Sequence, residues 1–193
     1  MSIFSKSNVK NVQGAFPKQD APAPITPTTQ NGSHTMPTKV LIAFYSRGGV
    51  TEKLAQAIAE GADAIVFGTP TRFGNVSSEL KAFVDSLGGL WFQGKLVGKA
   101  GSAFCSTGSP HGGNESTNLT MYNFMAHLGL IIVPLGYGDP IMFQAGTPYG
   151  ASAISGQNAA PPTANDLEVA RYQGRRVAQV ARALKAAKQT ETK

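Results

Sequence analysis

"KVLIAFYSRGGVTEKLAQAIAEGADAIVFGTPTRFGN", residues 39–75, decides how this chain folds. It holds two continuous apolar runs, 39–45 and 63–68. Each opens into a loop of glycine, hydroxyl and arginine residues. Apolar runs this short, without polar alternation, read as strands buried on both faces of a sheet. Between them "TEKLAQAIAEG" (51–61) reads as a helix with Leu54, Ala57, Ile58 and Gly61 on one face. A strand, a helix and a strand in that order make the unit of a parallel sheet.

The alternation continues outward. "SSELKAFVDSL" (77–87) has helical spacing, with Leu80, Phe83, Val84 and Leu87 inward. "AGSAFCST" (100–107) reads as a third strand. "ESTNLTMYNFMAHLG" (115–129) reads as a helix stopped by Gly129. "LIIVPL" (130–135) reads as a fourth strand. The last helix starts at Thr163, where Thr163 and Asp166 have capping-box spacing with Asp in place of Glu or Gln. Leu167, Ala170, Val177, Val180 and Leu184 are expected on its buried side, with Arg171, Arg175, Arg182 and Lys185 opposite. The fold class is therefore α/β, a doubly wound parallel sheet. Ligands of such sheets bind outside the carboxyl ends of the strands.

The 193 residues, 41% of them hydrophobic, provide for one cored domain, here 37–190. Residues 1–36 are Pro-, Thr- and Gln-rich and read as a disordered extension. Their "GSH" just before Met36 resembles an expression-tag scar. The amino terminus lacks the apolar run of a secretory signal, and no apolar stretch is long enough to span a bilayer. A single cysteine excludes an internal disulfide and fits a reducing compartment, so the chain reads as cytoplasmic. Cys105, inside a strand, reads as a small core residue. His34 and His111 lack ligand spacing, and no metal site is expected.

The net charge of +6 raises the question of nucleic acid. All of that excess lies in residues 171–193, which hold seven Lys or Arg and one acidic residue, Glu191. A basic terminal helix without interleaved aromatic residues reads as a solvated face, so no nucleic-acid partner is expected.

Three loops follow three strands. Ser46–Thr51, "SRGGVT", can curl its backbone N–H groups inward at a helix start, as a phosphate requires, or can be a plain glycine turn. It matches neither GxxxxGK[ST] nor GxGxxG. Thr69–Asn75, "TPTRFGN", offers hydroxyls, an arginine and an aromatic ring, a mixture suited to a flat, polar-edged ligand. Ser106–Glu115, "STGSPHGGNE", offers glycine-flanked amides that could wrap a carbonyl-rich ring edge.

"TPTRFGN", "GGLW", "STG…GG", "MAHLG", "GTPYGAS" and "ARYQGRRVA", in this order, closely resemble the WrbA-type NAD(P)H:quinone oxidoreductases, flavodoxin-like FMN proteins. The resemblance covers nearly all of residues 39–184. It implies a flavodoxin-like sheet, a non-covalent FMN, NADH or NADPH as electron donor, a quinone as substrate, and a homotetramer. Matched position by position, Ser46, Arg47, Gly48, Gly49, Val50 and Thr51 fall on the FMN phosphate loop. Thr71, Arg72 and Phe73 fall beside the flavin ring. Ser106, Thr107, Gly108, Ser109 and Gly113 fall at its far edge. His127 matches a flavin-contacting histidine, and Trp91 an aromatic wall of the substrate pocket. The implied reaction is ping-pong: hydride reaches flavin N5, and the quinone then takes both electrons in the same pocket. No side chain is expected to be an essential nucleophile; Arg72 and backbone amides would stabilise charge on the reduced ring.

Other functions remain to be weighed. A flavodoxin-type electron carrier is usually acidic, unlike this chain. A non-catalytic scaffold that has lost flavin has one support, a shortened crossover. The family has another strand and helix between the first helix and the strand before "TPTRFGN"; here "AQAIAEGA" runs straight into "DAIVFG". In the order 2-1-3-4-5, feeding the first helix directly to strand 3 makes that crossover left-handed, whereas about 98% are right-handed. Either a segment of the biological protein is missing from this chain, or the helix has changed face. The first reading is favoured; it implies an ordinary flavodoxin sheet with a spatial gap near Gly61–Asp63. Two further departures fall in the loops: Gly48 stands where the family often has an aromatic, and Pro110 and His111 lengthen the third loop.

Overall fold

The computed structural model describes residues 38–44, 63–156, 158 and 160–191. The expected extension 1–36, the loop Ser46–Thr51, the helix 51–61 and the junction at Gly61 lie outside the described residues. Five parallel strands form one sheet: β1 (Val40–Phe44), β2 (Ala64–Pro70), β3 (Ala100–Thr107), β4 (Ile131–Ile132) and β5 (Ala151–Ile154). They lie in the order β1-β2-β3-β4, and β5 also pairs with β3. β1 pairs directly with β2, from Val40 opposite Ala64 to Phe44 opposite Gly68. Among the described residues this is the flavodoxin order without its edge strand.

Successive side chains of a strand point to opposite faces, so β2 serves two cores. Ile65 and Phe67, fully buried, join Leu41 and Ala43 on one face. Over them pack α1 (Ser78–Ser86), the short α2 (Gly88–Phe92) and α3 (Asn114–His127). Leu80, Val84, Leu87, Met121 and Met125 supply the contacts. Phe67 meets Phe124 edge to face with ring centroids 5.1 Å apart. Ala64 and Val66 face the other way, against Val177 and Ala181 of α4 (Ala164–Glu191). The result is a three-layer α/β sandwich, as expected.

The local signals hold where they are strongest. Ser77 caps α1, its Oγ accepting from Leu80 N at 3.3 Å. Thr163 and Asp166 exchange both capping-box bonds, Asp166 N to Thr163 Oγ1 at 3.1 Å and Thr163 N to Asp166 Oδ2 at 2.8 Å. Three expectations are corrected. The fourth strand shrinks from 130–135 to Ile131–Ile132, and an additional strand, β5, stands within the "GTPYGAS" stretch. Leu167 is exposed, and so is Ala170; the buried stripe of α4 runs through Val169, Gln173, Val177 and Ala181. A buried glutamine hid that stripe from an apolar pattern. Lys185 is not on a free basic face: its Nζ lies 3.0 Å from Asp63 Oδ2. Burial pushes the Asp63 carboxyl up, but the Lys39 N–H and Lys185 outweigh it and hold it below the ordinary value.

Candidate functional site: the carboxyl edge of the sheet

β2 and β3 end side by side, Pro70 opposite Ser106. Thr71 N donates to Ser106 O at 2.8 Å, which carries the pairing one step past the strand. From there β2 enters a tight hairpin, with Arg72 N to Asn75 O at 2.8 Å and Asn75 N to Arg72 O at 3.0 Å. Its central residues, Phe73 (φ 51°) and Gly74 (φ 73°), both have positive φ, as a type I′ turn demands. Phe73 has a Cβ and takes this backbone at a steric cost, yet its ring is fully exposed. The turn is anchored from below by Thr69 Oγ1, which accepts from Ser77 N at 3.0 Å.

The loop after β3 lies against this hairpin. Thr107 is buried, and its Oγ1 donates to Ser109 O at 2.8 Å. Gly113 (φ 99°) opens α3 in such close contact with the hairpin that a Cβ there would stand 2.8 Å from the α carbon of Gly74. Only glycine fits that approach. Thr71 Oγ1 lies 3.0 Å from Thr117 Oγ1, which ties the hairpin to α3. Thr71, Arg72, Phe73, Ser106, Thr107, Gly108, Ser109 and Gly113 are therefore brought together on one edge.

Arg72 and Phe73 also border an open pocket of about 880 Å³ between α1, α2 and α3. Trp91 and His127, both exposed, line it with Thr120 and Asn123. The pocket brings Trp91 and His127 to the hairpin, and the Ser106–Gly113 loop is not part of its lining. Thr120 and Asn123 were not singled out in the sequence. Their places on α3, two turns and one turn before His127, were the available signal.

Two nearby groups are silenced by burial. The Cys105 thiol is pushed up to about 12, by burial first and then by Glu115, and bonds Asn114 O at 3.3 Å. Tyr122 is likewise raised to about 12 by burial, its hydroxyl donating to Tyr149 O. Neither is a reactive group at neutral pH. Among the described residues no cluster of His, Cys, Asp and Glu has the makings of a metal site. No helix of the described residues is long and apolar enough to cross a membrane.

A parallel sheet with helices on both faces, ligand-type loops at its carboxyl edge and strands in the order seen here has the architecture of a flavodoxin-like protein. Residues 32–138 match the family described as NADPH-dependent FMN reductase, and the chain belongs to that family. A protein of Methanosarcina barkeri named NAD(P)H dehydrogenase (quinone) is 47% identical over 141 residues, covering 70% of this chain and 68% of that protein. NAD(P)H dehydrogenase (quinone) 3 of Rhizobium meliloti is 41% identical over 198 residues, covering 76% of this chain and 93% of that protein. That stretch is longer than the share of this chain it takes up, so the relative carries tens of residues without a counterpart here. The crystal structure of a WrbA-like flavodoxin from Agrobacterium tumefaciens superposes with a TM-score of 0.60 at 25% identity, over 77% of this chain and 99% of that one.

Proposed function

We propose that this chain is an FMN-dependent NAD(P)H:quinone oxidoreductase acting by a ping-pong sequence, with residues 37–190 as the flavin domain. The observation that carries the reading is the junction of the Thr71–Asn75 hairpin and the Ser106–Gly113 loop at Gly74 and Gly113. The donor set fits the cofactor. A Cβ at Gly108 would meet nothing within 4 Å, so the backbone there is open to a planar ring. Arg72, on the hairpin that meets this loop at Gly74 and Gly113, supplies a cation, and the buried Thr107 stiffens the loop. Thr71, Arg72 and Phe73 would flank the flavin, and Ser106, Thr107, Gly108, Ser109 and Gly113 its far edge. Ser46, Arg47, Gly48, Gly49, Val50 and Thr51 would hold the phosphate.

When bound, FMN supplies hydride acceptance from NADH or NADPH at N5 and two-electron delivery to a quinone. The chain's own part is orientation and electrostatics. Trp91 and His127 form the walls of the pocket that nicotinamide and quinone would enter in turn. The exposure of Phe73, Trp91 and Phe92 supports a homotetramer in which neighbouring copies complete that pocket. A cytoplasmic location belongs to the same reading.

The test is a titration of FMN by quenching of its fluorescence, followed by NADH or NADPH oxidation with benzoquinone. Saturable binding with turnover is expected. A folded chain that fails to bind FMN, or binds it without oxidising either nicotinamide, refutes the reading. Phe73→Gly sharpens it. Removing the positive-φ penalty is expected to stabilise the fold by up to about 1 kcal/mol, while FMN binds more weakly because the ring is lost.

A further inference from the structure

"GTPYGAS" and "ARYQGRRVA" are spent on neither face of the candidate flavin site, and they meet at one place. β3 divides one flank between two strands. Ala100 and Gly101 pair with Ile131 and Ile132 of β4, and Phe104–Thr107 with Ala151–Ile154 of β5. Ser102 and Ala103 fall in the hand-over between them, both fully buried. A sheet edge left open there would strand backbone groups away from water. Gln173 of α4, only 4% exposed, fills the break. Its Nε2 donates to Ala103 O at 2.7 Å and to Ser102 Oγ at 2.8 Å, and its Oε1 accepts from Ala151 N at 3.1 Å. Ser102 Oγ in turn donates to Val133 O at 2.9 Å. One carboxamide thus joins β3, β5 and, through Ser102, the chain leaving β4.

The contact is close. A Cβ at Gly150, the residue before β5, would stand 2.1 Å from Ala103 O, the oxygen that Gln173 binds. From Ala151 the β5 ladder runs up β3 to Thr107 opposite Ile154. It ends at Ser155, whose N and Oγ both donate to Thr107 O, at 2.8 and 3.1 Å. Thr107 is the residue that holds Ser109. The root of the Ser106–Gly113 loop is therefore fixed on one side by Thr71 and on the other by β5, whose first residue is held by Gln173.

We propose that Gln173 is a positioning residue for the flavin-edge loop: by locking β5 onto β3 at the hand-over it sets where Thr107 and the Ser106–Gly113 loop stand. The ligand named here rests on the FMN reading; the mechanical coupling does not. Gln173 lies on α4 and hydrogen-bonds none of the residues from Ser106 to Gly113, so its effect must travel along β3 and β5.

The test compares wild type, Gln173→Met and Ser102→Ala by hydrogen-exchange mass spectrometry without FMN, and then by FMN titration. Methionine keeps the volume and removes every hydrogen bond. Losing bonds worth about a factor of ten together should accelerate exchange about tenfold in peptides spanning 103–113 and 146–156. Exchange across β2 should stay as in wild type, and the Kd for FMN should rise about tenfold. Ser102→Ala keeps the bonds to Ala103 and Ala151, so the same segments should loosen less. It also serves as the variant to score should Gln173→Met not fold. Acceleration spread evenly over β2 and α3 would reduce Gln173 to a core residue and overturn the proposal. So would local loosening with an unchanged Kd, or no loosening of the loop in either variant. If wild type itself does not bind FMN, the flavin reading falls alone, and exchange in 103–113 still decides whether Gln173 positions the loop.

Discussion

The two flanks of this sheet are finished differently. On one, β1 is the last strand among the described residues, and its Val40 and Ile42 are 39% and 57% exposed. On the other, β3 is shared by β4 and β5, and a glutamine side chain closes the break with three hydrogen bonds. The first flank is bounded by what pairs in line; the second is sealed by a group that comes from 70 residues away in the chain. The Rhizobium meliloti relative carries tens of residues without a counterpart here, and the flank of β1 is where the flavodoxin order places a further strand. The sealed flank is the one that leads to the Ser106–Gly113 loop.

The largest effect should come from the sealed flank. Gly150→Ala puts a methyl carbon against backbone rather than against a yielding side chain. It is expected to cost about 3 kcal/mol or more, read as a fall in the urea midpoint. A variant as stable as wild type would show that β5 can shift away from Ala103, which the comparison forbids.

Asp63→Asn should come next. The Asp63 carboxylate accepts from Lys39 N at 2.8 Å and pairs with Lys185, so it fastens the start of β1 to α4. Loss of this half-buried pair is expected to cost up to about 1 kcal/mol. The sign with pH follows from its depressed pKa. The folded protein holds the proton less tightly than the unfolded chain, so the stabilisation is complete above the ordinary Asp value of 3.8 and is lost as pH falls through the folded value. Thermal melts between neutral pH and pH 3 should show wild type and variant converging as the medium becomes acid. A gap that widened on acidification would contradict the assignment.

The smallest effect should be Ile42→Thr on the open flank. The side chain is already more than half exposed and threonine keeps the β-branch, so the change in stability should be within about 0.5 kcal/mol. Aggregation on heating should fall, because an apolar edge is a template for pairing between chains. A loss of several times that size would mean that Ile42 is covered in solution, and the contrast between the flanks would be void.

Much of this fold was legible in the residues. The apolar runs fixed β1, β2 and β3 to within a residue or two, because buried parallel strands need continuous apolar stretches whatever lies beside them. Thr163 and Asp166 announced the start of α4 because capping is a contact between residues three apart. β5 was not legible. "ASAI" is short and small, and it is a strand because Phe104–Thr107 and Gln173 hold it. The first turns of α4, at Leu167 and Ala170, were misread for the same reason, while Val177, Val180 and Leu184 pack on the core as expected.

The site divides in the same way. Glycine, hydroxyl and arginine placed after strands pointed to Thr71–Phe73 and Ser106–Gly113 from sequence alone, because loops at the carboxyl ends of parallel strands are where ligands bind. That Gly74 and Gly113 would touch, that Arg72 and Phe73 would share a pocket with Trp91 and His127, and that Gln173 would stand beneath β5 depended on contacts between residues far apart in the chain. Local chemistry, repeated at fixed spacing, is written in the sequence; the meeting of distant polar groups is decided only when the layers close over them.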